Sequence, residues 1–223
     1  MRNAPMMRTR IAGRAMLAAA GVMVAAFRGA QAQVPGPAPG ERDVGWRLGA
    51  TAGALAPMSA LIRAADGRNT ELAAGPLFGL DVQYMVGENG AIYADALAGF
   101  STVTLGSSIR PTVVGPSNQV ILLGGVAGAL VSLSASDRLQ FTFRLGGGIK
   151  GYLFDLAETA NQWRATGDFG FGIRGLGGPL EVNAEVRYLP SSFDQAKLPI
   201  RSIVPQSQRQ NDLLFTVGVT VRP

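Results

Sequence analysis

Gly170-Phe171-Gly172-Ile173-Arg174-Gly175 has the spacing G-x-G-x-x-G. That spacing binds a dinucleotide pyrophosphate only where a strand turns into a helix. Here it lies inside one alternating segment, so the match is a coincidence of strand glycines. Two carboxylate pairs, Asp81 with Asp95 and Glu181 with Glu185, have the residue types for general acid and base work. Each sits within an alternating strand, where structural ion pairing is the commoner role of such groups. The 223 residues include no histidine and no cysteine. A Ser-His nucleophile is therefore excluded, no disulfide framework supports the fold, and only carboxylate sites for hard cations stay open. No catalytic, cofactor or metal site is expected, and the chain is not expected to be an enzyme.

A formal charge of +5 looks suited to a nucleic-acid partner. The excess lies at the amino terminus: residues 1–32 hold five arginines (Arg2, Arg8, Arg10, Arg14 and Arg28) and no acid, and the remainder is neutral. No nucleic acid is expected as a partner. The same stretch reads as a signal peptide, with an apolar run from Ala15 to Phe27 and then Ala30-Gln31-Ala32, which places cleavage before Gln33. Residues 33–43, rich in proline and glycine, form a flexible lead-in to one domain over 44–223.

From Val44 the hydrophobic period is two and recurs over eight segments: 44–56, 77–86, 91–105, 120–133, 138–153, 162–175, 180–190 and 212–222. The segment 180–190 shows it best, with Leu180, Val182, Ala184, Val186 and Tyr188 alternating with Glu181, Asn183, Glu185 and Arg187. In the segment 120–133 both faces are apolar, so it reads as a strand without assigned faces. Short links at 87–90, 134–137 and 176–179 alternate with loops of about 20, 14, 8 and 20 residues. This is an up-and-down meander with its long loops at one end, as in transmembrane barrels.

Three features decide which face meets hydrocarbon. The apolar face carries too many rings for the interior of an eight-stranded barrel, which has room for little more than its own side chains. The other face is rich in glycine, including Gly49, Gly146, Gly170 and Gly172, which inside a narrow barrel makes room for a neighbour's long side chain. The rings also fall near strand ends, with Trp46, Tyr84 and Phe171 toward one rim and Phe78, Phe100, Trp163 and Tyr188 toward the other, as two aromatic girdles. The apolar face is therefore expected to point outward.

Enclosed charges must be paired, because desolvation is costly. A lumen network of Arg47, Asp81, Asp95, Arg144, Lys150, Arg164, Asp168, Arg174, Glu181, Glu185 and Arg187 is expected. A two-residue turn at Gly177-Gly178 predicts Arg174 opposite Glu181, Asp168 opposite Arg187, Gly170 opposite Glu185 and Tyr188 over Gly167. Asp81 and Asp95 approach each other, and Arg47, Arg144 or Lys150 is expected between them.

This pattern, together with Thr216-Val-Gly-Val-Thr-Val221, resembles the small eight-stranded outer-membrane barrels of the OmpA/OmpX kind and their last-strand insertion signal. The chain departs from that signal in ending Val221-Arg222-Pro223 instead of on an aromatic residue. The resemblance implies an all-β antiparallel barrel in the outer membrane of a Gram-negative bacterium, inserted by the barrel-assembly machinery and monomeric, with lipid and lipopolysaccharide as partners. Its expected role is structural or surface-exposed, through loops 57–76 and 190–211. Lys197, Arg201 and Arg209 in the last loop are candidate contacts for lipid A phosphates. Two alternatives stay open: a soluble periplasmic lipocalin-like barrel with its rings inside, and a narrow pore for small solutes.

Overall fold

The computed structural model describes residues 44–62, 70–104, 119–155, 161–177, 180–194 and 207–222. The expected signal peptide, the lead-in, Lys197 and Arg201 lie outside them. Eight long strands make the wall: β1 (Val44–Pro57), β4 (Gly75–Val86), β5 (Gly90–Thr104), β6 (Gln119–Ser136), β7 (Leu139–Phe154), β8 (Gln162–Gly177), β9 (Leu180–Asp194) and β10 (Ser207–Val221). Each pairs antiparallel with the next, and β10 pairs with β1, so the sheet closes and leaves no wall edge unpaired. The segment Thr216–Val221 forms the seam, running from Thr216 opposite Gly53 to Val221 opposite Leu48.

The register fixes the barrel's shape. Following paired residues around the wall from Trp46 leads through Tyr84, Ile92, Ala129, Leu145, Phe169, Tyr188 and Leu213, and back into β1 at Ala56, ten residues on. A stagger of ten over eight strands tilts them by about 40° from the axis, at about 3.3 Å per residue and about 4.8 Å between strands. At that tilt roughly 10 residues cross the hydrocarbon. The wall strands have 12 to 18, so their ends project beyond it.

The projection is greatest at the loop end, where the structure extends the expected strands. β9 runs on to Asp194 and β10 begins at Ser207, which turns much of the expected loop 190–211 into ladder. Within the first loop, β2 (Ala60–Ile62) and β3 (Thr70–Leu72) form a small hairpin. It joins the wall where Leu72 faces Val103 and Glu71 faces Thr104 of β5.

Alternation sets the two faces. Trp46, Phe143, Leu145 and Phe169 stand outside, with Trp46 58% and Leu145 61% exposed, while Arg47, Arg144, Arg174 and Glu181 are buried inside. This orientation excludes the lipocalin-like alternative, whose rings would fill the interior. β6 now has faces: Val120, Leu122, Val126 and Leu130 point in, and Val131 and Leu133 point out. Gly128 also points in, opposite Tyr93 and Gly146.

Trp46 and Tyr84 sit together near the turn end with ring centroids 5.0 Å apart, and Trp163 lies at the start of β8, at the loop end. Phe78 and Phe100 meet at 6.5 Å on the loop side. Phe171 lies within β8 opposite Val186, and Tyr188 lies within β9 opposite Phe169, their ring centroids 6.5 Å apart.

The β8–β9 register also differs from expectation by two residues. Arg174 faces Asn183, Glu181 faces Leu176 and Gly170 faces Arg187, the ladder ending at Gly177 opposite Leu180. The expected register would have placed Pro179 in the ladder, where it has no N–H to donate. A slip of two preserves both faces; a slip of one would have exchanged them.

An arginine at Leu145, outward-facing in mid-strand, should destabilise the barrel in vesicles by about 2–4 kcal/mol, because the charge meets hydrocarbon. Arginine at Val44, at the turn-end rim, should cost about 0–1 kcal/mol. Urea unfolding followed by the gel shift of folded against boiled protein checks both.

Candidate functional site

The strands place the ionisable side chains on the inner face at every second position, and the tilt brings residues distant in sequence to one level. Nearest the turn end, Arg47 Nη1 lies 2.6 Å from Glu181 Oε2, and Arg174 Nε lies 3.7 Å from the same oxygen. Arg174 also donates to Gln83 Oε1 at 2.8 Å, and Gln83 Nε2 donates to Asp81 Oδ2 at 2.7 Å.

At mid-height Arg187 grips Asp168 through two donors, Nε to Oδ1 at 3.1 Å and Nη2 to Oδ2 at 2.6 Å, with its third nitrogen 2.7 Å from Asp95. This fork-on-carboxylate geometry gives stronger bonds than a point charge does. Arg144 pairs with Asp95 and with Glu185, the latter at 3.0 Å, and lies over the Tyr93 ring at 4.5 Å. The Tyr93 hydroxyl donates to Asp168 Oδ2 at 2.7 Å. Gly170 makes this crossing feasible, since a Cβ there would lie 2.5 Å from Arg144 Cγ and 3.2 Å from Arg187 Cγ.

Toward the loop end Lys150 Nζ lies 2.6 Å from Asp212 Oδ2, which also accepts from the Tyr152 hydroxyl at 2.6 Å. Lys150 donates further to the Leu189 carbonyl at 3.0 Å. Apolar side chains are buried in the lumen among these polar groups: Met85, Ala91 and Leu130 in the turn-side half, Leu130 opposite Arg144, and Leu55, Leu77, Leu122 and Leu214 in the loop-side half. Asp212 and Gln210 precede Leu214 in β10 and so lie nearer the loops, and Gln162 at the loop end of β8 is buried too, as are Leu61 and Leu72 of the β2–β3 hairpin.

Most of the expected lumen residues are thus brought together, in partnerships only partly foreseen. Arg144 reaches Asp95, whereas Arg47 goes to Glu181 and Lys150 to Asp212. Arg174 with Glu181 and Asp168 with Arg187 meet diagonally instead of directly opposite, because of the two-residue shift. Arg164 is a correction: it sits half-buried near the loop end, 3.3 Å from Asp194, and is not joined to the central network. Its strand reaches the end of the wall there, where water is available. Arg209 is exposed and lies in β10 opposite Ser192, not in a loop.

Gln83, Tyr93, Tyr152, Gln210 and Asp212 complete the network, although no charge pattern marked them. The alternation already put Gln83, Tyr93, Tyr152 and Asp212 on the polar face, and that was the available signal. Among the described residues no group of three or more carboxylate side chains is placed to hold a metal ion. The Glu181/Glu185 pair is engaged by arginines, so its arrangement holds strands together and leaves no free acid or base.

No protein-family model matches the chain, and no curated protein does either. Among solved structures it is similar to Neisserial surface protein A, at 14% identity over 80% of this chain and 97% of that one, with a TM-score of 0.54. It is likewise similar to the outer membrane protein OprG of Pseudomonas aeruginosa, at 13% identity over 81% and 97%, with a TM-score of 0.52. The fold is that of the small eight-stranded outer-membrane β-barrels. An apolar exterior around an enclosed ionic column is the arrangement of a barrel that spans a membrane.

Removing one member of a buried pair leaves the other uncompensated. Asp212→Leu should therefore destabilise the barrel by about 3–5 kcal/mol. Adding Lys150→Met to it should recover most of that loss. Urea midpoints of the wild type, both single variants and the double variant measure the coupling.

Proposed function

We propose that this barrel serves the outer membrane from its surface, stabilising the envelope and contacting lipopolysaccharide or a surface partner through its loop end, without conducting solutes. Supporting the reading above all is the filling of the lumen: Leu55, Leu61, Leu77, Leu122 and Leu214 are each no more than 1% exposed, and the ion pairs, Lys150 with Asp212 among them, are buried with them. A solute would have to displace both apolar side chains and several charge pairs. In such a barrel, recognition falls to the projecting ends and loops.

Residues 1–32 act as the export signal and 33–43 as a tether into β1. The barrel-assembly machinery reads the seam-forming segment Thr216–Val221, and the mature protein works as a monomer. Arg209, exposed at the loop-end rim, joins Lys197 and Arg201 to meet lipid A phosphates by charge-assisted hydrogen bonds.

Replacing Lys197, Arg201 and Arg209 together with serine should weaken association with lipopolysaccharide vesicles several-fold while leaving the urea midpoint within about 0.5 kcal/mol. Unchanged association would remove the lipid A contact. Wild-type protein in planar bilayers should show no ion conductance; steady channel currents would favour the pore reading.

A further inference from the structure

The loop end of the β9–β10 hairpin is joined to its neighbours differently from the wall below it. Within the hairpin the ladder is unbroken, from Leu180 opposite Val221 to Asp194 opposite Ser207. On one flank the β1–β10 ladder stops at Pro57 opposite Asp212. Beyond it Met58 N donates to the Asn211 carbonyl at 2.8 Å and Asn211 N donates to Ser59 Oγ at 3.2 Å, while β2 pairs in its ladder with β3.

The other flank is interrupted at the same level. Phe169 faces Tyr188 and Thr166 faces Ser191, but Gly167, Asp168, Leu189 and Pro190 between them form no β8–β9 pair. Pro190 has no N–H to donate. The Thr166 hydroxyl patches the break, 2.9 Å from the Pro190 carbonyl and 3.0 Å from that of Gly167. Nearer the loops a side chain stands in for the ladder: Gln162 Nε2 donates to the Asp194 carbonyl at 3.0 Å, and Asp194 N donates to Gln162 Oε1 at 3.1 Å. Arg164 Nη2 lies 3.3 Å from Asp194 Oδ2. The two interruptions meet across the hairpin, where Leu189 faces Asp212 and Pro190 faces Asn211. On the inner face Phe193, fully buried, packs edge-on against Tyr152 and Phe154 of β7.

We propose that residues 191–194 with 207–211 form a lid over the loop end of the lumen, which opens as one unit about a hinge at Pro190 and Asp212, with Gln162 as its latch. The hairpin's own ladder keeps its two strands together during opening. The latch, the Arg164 pair and the burial of Phe193 set the free energy of that opening, below that of the wall. Opening presents the rings of Phe154 and Phe193 at the surface. Lys150 and Leu189 stay with Asp212, which is held in the β1 ladder, so the lumen beneath remains filled. The lid does not depend on any contact with lipopolysaccharide.

Hydrogen exchange tests this on the full mature chain refolded in zwitterionic lipid nanodiscs and read residue by residue by NMR. The N–H groups of Met58, Asn211 and Asp194 bond across the flanks, whereas alternation turns those of Ser191, Phe193 and Gln210 into the hairpin's own ladder. The flank amides should share one opening free energy and exchange on the order of a hundredfold faster than the ladder amides. Gln162→Ala removes two hydrogen bonds from β9 and should speed exchange about tenfold at Met58 and Asn211, on the far flank, as well as at Asp194. Pro190→Ala supplies the missing N–H and should slow all three several-fold. An effect of Gln162→Ala confined to Asp194, or ladder amides that exchange as fast as the flanks, would overturn the proposal. Should Gln162→Ala fail to fold, Pro190→Ala decides alone, and unchanged exchange at Met58 and Asn211 would overturn the hinge.

Discussion

Hydrocarbon offers no hydrogen bonds, so every backbone N–H and C=O crossing it must be satisfied within the protein. Closure of β1 onto β10 meets that demand for this chain, and the other features of the molecule follow from it. A closed wall of alternating residues has one face in lipid and one sealed away from both lipid and bulk water. Charges such as Arg174 and Asp168, fully buried on the inner face, then lie where an unpaired ion is most costly. The lattice of ion pairs is therefore a requirement of the closed wall as much as a contribution to its stability.

The ten-residue stagger determines which pairs form. Because the strands tilt, Arg144 of β7 reaches Asp95 of β5 and Glu185 of β9 without sharing a ladder position with either. Tilt also spreads the inner side chains over different levels, so Arg144, Arg187 and Tyr93 cross near the middle without stacking at one height. Glycine supplies the remaining room: a Cβ on Gly146 would stand 2.4 Å from the Tyr93 hydroxyl, which bonds to Asp168. The aromatic content outside and the glycine content inside are two consequences of the same narrow radius.

The period of two in the sequence was enough to read the eight wall strands, their order and the orientation of their faces. It failed where alternation carries no information. β6 is apolar on both sides, and only its neighbours assign Val126 and Leu130 inward. The β8–β9 register differs by two residues from the one a Gly177-Gly178 turn sets, and the alternation of faces is the same in both, so the period could not choose between them. Asp212 was visible as an inward residue but not as the partner of Lys150, because that pairing joins β7 to β10 across the lumen and depends on tilt. The β2–β3 hairpin was hidden by its brevity, with three residues in each strand.

The mixing of charged and apolar side chains in the lumen bears on how such a barrel keeps its shape. Ion pairs shared among Asp95, Arg144, Arg187, Asp168 and Glu185 form one connected group, and losses within such a group are not additive. Water entering from either end would weaken every pair it reached by raising the local dielectric. Met85 and Leu130, with Leu55, Leu77, Leu122 and Leu214, fill the lumen between the polar groups and leave that water no room. The apolar side chains thus act on stability through the electrostatics of their charged neighbours as well as through their own burial.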